Sequence, residues 1–458
     1  MLRSPKALVI PFKFREGYPD DMVDPLIDSA VAFTKSAGID LTLTEAVTYD
    51  KDADLVAGKY NIAAYDFTIL LVPTWFEPVT MVRAAKPFFG KPIVVWGFSN
   101  FMLGNQRTNL GSSAGAGVTK GTLREYGVNH EYIYYSPDHG EDKFILAKLK
   151  KVANVARAMS LMETARILCF GYQFGGMTLG DMDLTKMRRV FGPDMIELDS
   201  YSLIRKMEAI DTGSDIYKAN ADKINKMTEG TIDGKLEPVA RMYTALKDYT
   251  DEYNAQALTI KCHFAFSQEY GLTPCIPLSV IGNELVASCE ADIPLTLTQL
   301  LLHYLSDGGI TTYADTHELK ENKVLWGACG FAPAGMCVDG KITCQLPVAD
   351  AVGLGATFGD YITNKNWLMA GGLTVARILK DIDGGFTIHT ASGQAVGEIG
   401  EVAEYGAAQY AFTDMVLDGD MDSFAQNLGS HHYALVYAEI AEALDLYCRY
   451  NKINFLKD

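Results

Sequence analysis

The chain has 458 residues, 48% apolar and 21% charged, which is enough to bury cores in roughly three domains. Its formal net charge of −17 argues against nucleic acid or an anionic membrane as the main partner, because both attract clustered Lys and Arg. No stretch reaches the ~18 apolar residues of a membrane span, and the apolar start is too short for a signal peptide. We therefore expect a cytoplasmic protein whose eight cysteines, which show no CxxC spacing, are reduced thiols.

Residues 1–163 alternate short apolar runs with amphipathic segments. The runs "KALVIPF", "FTILLVP", "KPIVVWGF" and "YIYYSP" are typical of buried strands, and helical patterns lie between them. This alternation predicts an N-terminal α/β domain with a doubly wound parallel sheet.

Residues 164–335 repeat the α/β pattern, and residues 336–458 depart from it. The second range begins with "RILCFGY" and continues through "ALTIKCHFAF", "CIPLSVI", "ELVASC", "ITTYAD" and "KVLWGAC", which we interpret as a second, largely parallel sheet. In the third range, short strand-like runs are broken by Gly, which predicts a β-rich C-terminal domain. It ends in a closing helix, "HHYALVYAEIAEALDLYCRYNKI".

Two acids follow predicted strands in "ASCEADIPLTLTQLLLHYLSDGGITTYADTH", residues 287–317. Glu290 follows one strand and Asp315 follows the next, and a helix capped by Asp292, with Pro294 in its first turn, joins the two. If the segment is a βαβ unit, its strands are parallel and both acids lie at the carboxyl edge of one sheet. Two carboxylates at that edge can share a divalent cation.

An acid after a strand is more commonly a helix cap or a solvated loop residue. Asp292 fits that description, and we expect it to cap the helix. Glu290 fits it less well, because it stands between Cys289 and Ala291 at the mouth of an apolar unit.

This stretch resembles the metal-binding segment of the L-fucose isomerases and, more distantly, of the L-arabinose isomerases. The later "GSHH" resembles the same family's segment whose histidine completes the metal site, which places that ligand at His432. His431 is the competing choice. We expect His432 in the first turn of the closing helix, where the positive helix end disfavours protonation.

The resemblance implies an aldose–ketose isomerase that acts on a small sugar through an enediol. It implies Glu290, Asp315 and His432 as metal ligands, with Mn²⁺ or Mg²⁺ as the cofactor, since an oxygen-rich set with one imidazole suits those ions better than zinc. Glu290 would abstract the carbon-bound proton and Asp315 would move a proton at the oxygens. The family also implies a homo-trimer or homo-hexamer.

Further residues are candidates for substrate binding. Lys261 ends a strand, so its ammonium would lie at the same edge as the acids, although strand-end lysines are more often solvated. His317 follows Asp315 by two residues, and His431 directly precedes His432. Trp75 follows a first-domain strand, where it would form an apolar wall for a sugar or pack in the core. Residues 104–122 fit no phosphate-binding register and suggest a mobile loop, in which Gln106 matches an "NQ" of arabinose isomerases.

Two other functions remain open. One is a metal-dependent lyase on the same scaffold. The other is a non-catalytic sugar-binding or regulatory module, in which two α/β domains form a cleft. Such a module has no need of bound manganese.

Overall fold

The computed structural model describes residues 2–135, 142–173, 176–230, 234–262, 265–328, 330–345, 362–397 and 411–458. The chain divides into two compact units, residues 1–160 and 161–458. The ranges 1–163, 164–335 and 336–458 stay a prediction of domain organisation. In the described part of the chain no helix has the length and apolar character needed to cross a membrane.

The first unit contains a parallel sheet in the order β2-β1-β3-β4-β7. Its central strands are buried along their whole length, as expected of a parallel sheet covered on both faces. A short hairpin of β5 and β6 follows β4. The strands are β1 (Lys6–Pro11), β2 (Asp40–Leu43), β3 (Phe67–Val72), β4 (Ile93–Phe98), β5 (Phe101–Leu103), β6 (Gln106–Thr108) and β7 (His130–Tyr135).

Helices alternate with these strands, which confirms the predicted α/β pattern. They are α1 (Asp20–Ser36), α2 (Asp50–Lys59), α3 (Pro78–Ala85), α4 (Ser112–Glu125) and α5 (Asp142–Thr164). The interpretation of residues 104–122 as a mobile loop is wrong for its second half, which forms α4. A Cβ on Gly115 would lie 2.7 Å from the carbonyl oxygen of Thr74, so the glycine lets α4 pack closely against the chain after β3.

The second unit begins with another parallel sheet, in the order β12-β11-β8-β9. The strands of this sheet are β8 (Arg166–Phe170), β9 (Asp194–Leu198), β11 (Ala257–Ile260) and β12 (Val286–Cys289). The helices that accompany it are α6 (Leu184–Phe191), α7 (Ser200–Ala209), α8 (Asp215–Met227), α9 (Leu236–Tyr253), α10 (Cys275–Ile281) and α11 (Ile293–Leu305). Two parallel sheets in an α/β chain are therefore confirmed.

The rest of the second unit is rich in β-structure, as predicted. Its main sheet has the order β17-β20-β13-β14-β19-β18-β21, and β17 also pairs with β18, so six antiparallel strands close into a ring to which β21 is added. The strands are β13 (Thr311–Lys320), β14 (Lys323–Ala328), β17 (Gly371–Lys380), β18 (Phe386–Ala395), β19 (Ala411–Leu417), β20 (His432–Val436) and β21 (Asn454–Lys457).

The remaining elements are short. A small sheet has the order β10-β15-β16, and two helices accompany the closed ring of strands. These elements are β10 (Thr228–Gly230), β15 (Ile342–Gln345), β16 (Thr363–Asn364), α12 (Met421–Asn427) and α13 (Ala441–Asn451).

Three predictions about this unit are wrong. "ITTYAD" and "KVLWGAC" form β13 and β14, which pair antiparallel with each other instead of extending the parallel sheet. "CIPLSVI" forms the buried helix α10, because a short apolar run does not by itself distinguish a strand from a buried helix. The closing helix begins only at Ala441, since the preceding "HYALV" is strand β20.

Helix α11 lies between the parallel sheet and the main antiparallel sheet of this unit. It contacts β11 and β12 of the parallel sheet, and β13, β17 and β20 of the antiparallel sheet. All of its residues except His303 are buried, as expected of a helix that is apolar on every face. The helix therefore places the carboxyl end of β12 beside the antiparallel sheet.

Candidate active site

Glu290 stands in the sharp turn between β12 and α11. Glu290 and Ala291 have φ angles of 67° and 52°, a left-handed conformation that non-glycine residues rarely adopt. The backbone N–H of Ala291 donates to the carbonyl of Ile260, which fixes the turn against β11. Such strain costs ~1–3 kcal/mol per residue and persists where the surroundings enforce it, often at functional sites. The turn holds the buried Glu290 carboxylate at the edge of the sheet.

Asp315 and His432 are direct partners in the pairing of β13 with β20. Directly opposed residues of an antiparallel pair point to the same face with their Cβ atoms close together. His432 therefore lies on a strand, and the prediction that it occupies the first turn of a helix is wrong. The register of the pairing, not a helix end, brings the imidazole to the carboxylate.

The structure brings the three predicted metal ligands together. Nε2 of His432 lies 2.9 Å from Oδ1 of Asp315 and 3.6 Å from Oε2 of Glu290. The His432 and Glu290 side chains are almost completely buried, whereas the Asp315 side chain is 20% exposed. One imidazole nitrogen thus faces two carboxylates at a site that solvent reaches from the Asp315 side.

The other imidazole nitrogen is held by Asp292. Nδ1 of His432 lies 3.0 Å from Oδ2 of Asp292. The same carboxylate oxygen accepts a hydrogen bond of 2.8 Å from the Arg377 guanidinium, and Oδ1 caps α11 by accepting from the N–H of Leu295. The predicted cap is confirmed, but sequence reasoning missed the contacts with His432 and Arg377.

This arrangement fixes which nitrogen of His432 is available to a ligand. An ionised Asp292 can only accept a hydrogen bond, so Nδ1 of a neutral His432 carries the proton and the Nε2 lone pair faces Glu290 and Asp315. A carboxylate behind a histidine is the usual device for orienting a metal-binding imidazole.

The carboxylates dominate the electrostatics of the cluster. Burial alone would lower the pKa of His432, but hydrogen bonds with Asp292 and Asp315 and the charge of Glu290 raise it to about 10. This direction is opposite to that predicted from a helix end. Burial likewise opposes ionisation of Asp292 and Asp315, but their positive neighbours hold the pKa of each carboxyl below its usual range.

The cluster has the charge and donor set of a divalent-cation site. Three carboxylates and one guanidinium surround the imidazole, so the net charge is −2 when the imidazole is neutral. Oxygen donors with one imidazole suit Mn²⁺ or Mg²⁺. The residues present therefore fit the metal that the resemblance implies.

Two cysteines lie beside Glu290. Donor atoms of Cys262, Cys289 and Glu290 all lie within 4.8 Å of one another, as do those of Asp315, His431 and His432. Sequence reasoning missed the cysteines because no CxxC spacing marks them. Sγ of Cys289 is within hydrogen-bonding distance of the Tyr313 hydroxyl, at 2.7 Å. Thiolate ligands would shift the metal preference of the site toward zinc, so elemental analysis of the purified protein has to include zinc.

A cavity of about 480 Å³ borders the Asp315 side of the cluster. His317 and His431, both candidates for substrate binding, contribute to its wall. His431 also lies 4.0 Å from Asp315. Its remaining lining residues are Leu179, Thr316, Glu318, Leu319, Leu428, Gly429 and Ser430.

The other candidate residues do not line this cavity. Lys261 directly follows β11 and is buried beside the turn that carries Glu290. Trp75 follows β3 and Gln106 begins β6, both in the first unit. The exposed Gln106 and the partly exposed Trp75 stay predictions as substrate contacts.

An Asp292→Asn substitution is expected to destabilise the metal-free protein by ~3–5 kcal/mol, because the buried Arg377 guanidinium loses its counter-charge. Asn is as good a helix cap as Asp, so the loss of stability would come from the missing charge and not from a weaker helix cap. Chemical denaturation measures it. Asp183→Asn, at the exposed cap of α6, is the matched control and should change the free energy of unfolding by less than ~0.5 kcal/mol. Equal effects of the two substitutions would contradict the assignment.

No protein-family model matches the chain. It is 23% identical over 280 residues to the sulfoquinovose isomerase of Alkalicoccus urumqiensis, a match that covers 60% of this chain and 62% of that enzyme. It is 21% identical over 391 residues to the sulfoquinovose isomerase of Priestia aryabhattai, covering 82% of each. It is 22% identical over 375 residues to that of Clostridium sp. (strain MSTE9), covering 78% of each. The first match thus spans less than two thirds of the relative.

These similarities support the prediction of an isomerase enzyme. They also support the likeness to the wider group of fucose and arabinose isomerase-like proteins, without singling out the fucose isomerases. A carbohydrate transporter from Acidothermus cellulolyticus 11B in complex with myo-inositol aligns with 66% of this chain and 87% of its own at 13% identity. The TM-score of this alignment is 0.19, which is too low to indicate a shared fold.

Proposed function

We propose that the protein is a metal-dependent aldose–ketose isomerase that interconverts an open-chain sugar through an enediol. The observation that carries the proposal is the convergence of Glu290 and Asp315 on Nε2 of His432, with Nδ1 held by Asp292. The similarity to sulfoquinovose isomerases supports the same reaction type.

The reaction moves a proton between C1 and C2 and another between the two oxygens. When bound, a divalent metal supplies an electrophile that polarises the sugar oxygens. Glu290, Asp315 and neutral His432 would hold it. Glu290 lies in a rigid buried turn, which suits a base that must meet one carbon-bound proton, and Asp315 is partly exposed, which suits proton exchange at the oxygens. Positioned acids and bases of this kind contribute ~10²–10⁴-fold each.

The proposed substrate is an acid-modified hexose. The relatives are named for sulfoquinovose, a glucose in which a sulfonate replaces the hydroxyl on C6. The sulfonate lies at the opposite end of the open chain from the reacting carbons. A substrate of this class places its charge away from the Glu290–Asp315 pair, which would repel an anion.

Incubating the protein with Mn²⁺ and a panel of aldoses tests the proposal. The panel contains sulfoquinovose, its neutral counterpart 6-deoxyglucose, L-fucose and L-arabinose, and ketose formation is followed by proton NMR. We expect ketose from sulfoquinovose. If none of the sugars isomerises with Mn²⁺, Mg²⁺ or Zn²⁺, the proposed function is wrong, and binding of a sugar without turnover would instead favour the non-catalytic module. The expected homo-trimer or homo-hexamer is checked by light scattering on the same preparation.

A further inference from the structure

Lys261 is a buried cation beside the candidate active site. It is 8% exposed and is the only buried lysine among the residues that the structure describes. Its backbone N–H donates to the carbonyl of Phe170 at the end of β8, and the residue before it, Ile260, accepts from Ala291 in the Glu290 turn. The lysine therefore stands at the carboxyl edge of the parallel sheet, next to the proposed base.

The surroundings of the ammonium contain an aromatic ring and, within the described ranges, no carboxylate at salt-bridge distance. Nζ lies 3.6 Å from the centroid of the Tyr172 ring, and the lysine lowers the pKa of the Tyr172 hydroxyl. Tyr172 is 62% exposed, so the ammonium end of this largely buried side chain lies beside an exposed ring, where a cation–π contact supplies only a weak attraction. An anionic ligand would supply the missing counter-charge.

Local backbone geometry makes room for this lysine. Gly171 has a φ of 93°, and a Cβ at that position would lie 3.0 Å from Cβ of Lys261 and 2.8 Å from Oγ of Ser200. Any larger residue at 171 would push the lysine or the serine away. The Ser200 hydroxyl, on the first residue of α7, thus lies close to Lys261 and adds a hydrogen-bond donor on that side of the site.

The cavity beside Thr316 and His431 is less suited to an anion. The described residues that line it include Glu318 and neither Lys nor Arg. The Arg377 guanidinium is already paired with Asp292. Glu290 and Asp315 would repel a negative group placed near the reacting carbons. Lys261, whose backbone lies beside the Glu290 turn, is therefore the better partner for an anionic substituent.

We propose that Lys261, assisted by Tyr172, binds the anionic group at the C6 end of the sugar and makes the enzyme select acid-modified aldoses over neutral ones. The proposal rests on the proposed isomerase function and adds the part of the site that determines substrate class. Lys261 supplies the charge, Tyr172 keeps the ammonium in place, and Ser200 donates a further hydrogen bond.

The test compares two substrates that differ only at C6, sulfoquinovose and 6-deoxyglucose. In Lys261→Met, which keeps the length and volume of the side chain, the ratio of kcat/KM for sulfoquinovose to kcat/KM for 6-deoxyglucose should fall ~10- to 100-fold, mainly through KM. Lys261→Arg should retain most of the ratio. Lys226→Met, which removes an exposed lysine on α8, should leave the ratio at the wild-type value.

A binding measurement keeps the inference separate from turnover. The alditol of sulfoquinovose has no carbonyl and cannot isomerise, and its affinity is measured by calorimetry against 6-deoxyglucitol. We expect Lys261→Met, and to a smaller extent Tyr172→Leu, to weaken binding of the sulfonated alditol selectively. If Lys261→Met changes neither the kinetic ratio nor this preference, the inference is wrong. The proposed function is tested separately, by the activity of the wild-type protein.

Discussion

An Asp315→Asn protein is expected to fold normally and to lose at least ~10³-fold in kcat, and Glu290→Gln should do the same. Each substitution removes one ligand charge and one group for proton transfer while preserving side-chain shape. Initial rates of ketose formation with saturating Mn²⁺ measure the effect, and circular dichroism verifies the fold. Asp222→Asn, at an exposed carboxylate on α8, is the matched control and should retain wild-type activity.

Hydrogen exchange distinguishes the two roles. In D₂O, Asp315→Asn should still exchange the C2 hydrogen of the aldose slowly if Glu290 is the base, whereas Glu290→Gln should show no exchange. The reverse result would assign abstraction of the carbon-bound proton to Asp315. Retention of more than a tenth of wild-type kcat by either variant would remove that carboxylate from the reaction.

Removal of metal is the second large effect that we expect. Dialysis against a chelator should abolish turnover, and Mn²⁺ should restore it, because the metal would supply the electrophile on the sugar oxygens and would balance the three carboxylates around His432. Bound metal should also raise the free energy of unfolding by ~2.7 kcal/mol at a concentration a hundred times its dissociation constant. Elemental analysis, enzyme assay and thermal denaturation on one preparation measure these outcomes.

The variants supply the controls for that experiment. In Asp315→Asn, addition of Mn²⁺ should produce a smaller increase in thermal stability than in the wild type, while Asp222→Asn should respond fully. Reactivation by Zn²⁺ but not by Mn²⁺ or Mg²⁺ would indicate that Cys262 and Cys289 contribute to the site. Full activity after complete removal of metal would contradict metal dependence.

Much of the candidate site could be predicted because it depends on local pattern. Apolar runs in the sequence correctly predicted strands β8, β11 and β12. Glu290 was recognisable because it directly follows β12. The "DIP" sequence correctly predicted the start of α11 at Asp292. The resemblance then selected His432 over the adjacent His431, because no local pattern distinguishes the two histidines.

The partners of β13 were not predictable by the same means. Its first four residues are buried and its last four are exposed, and two residues, Glu321 and Asn322, separate it from β14. That is the pattern of an antiparallel hairpin, but Glu-Asn is a weak signal compared with Asn-Gly or Asp-Gly. The short separation in sequence between β12, α11 and β13 therefore favoured the prediction of a parallel βαβ crossover, although β13 belongs to the antiparallel sheet.

The sequence by itself determined most types of element, with α10 and β20 as exceptions, together with the acids at the strand ends and the kind of chemistry that carboxylates and an imidazole support. Only the tertiary structure decided that Asp315 pairs with His432, and that Asp292 reaches His432 across 140 residues and Arg377 across 85. The physical reason is that periodicity and capping act within a few residues. Strand register and buried ion pairs depend instead on the free energy of packing α11 between two sheets, which no short stretch of sequence contains.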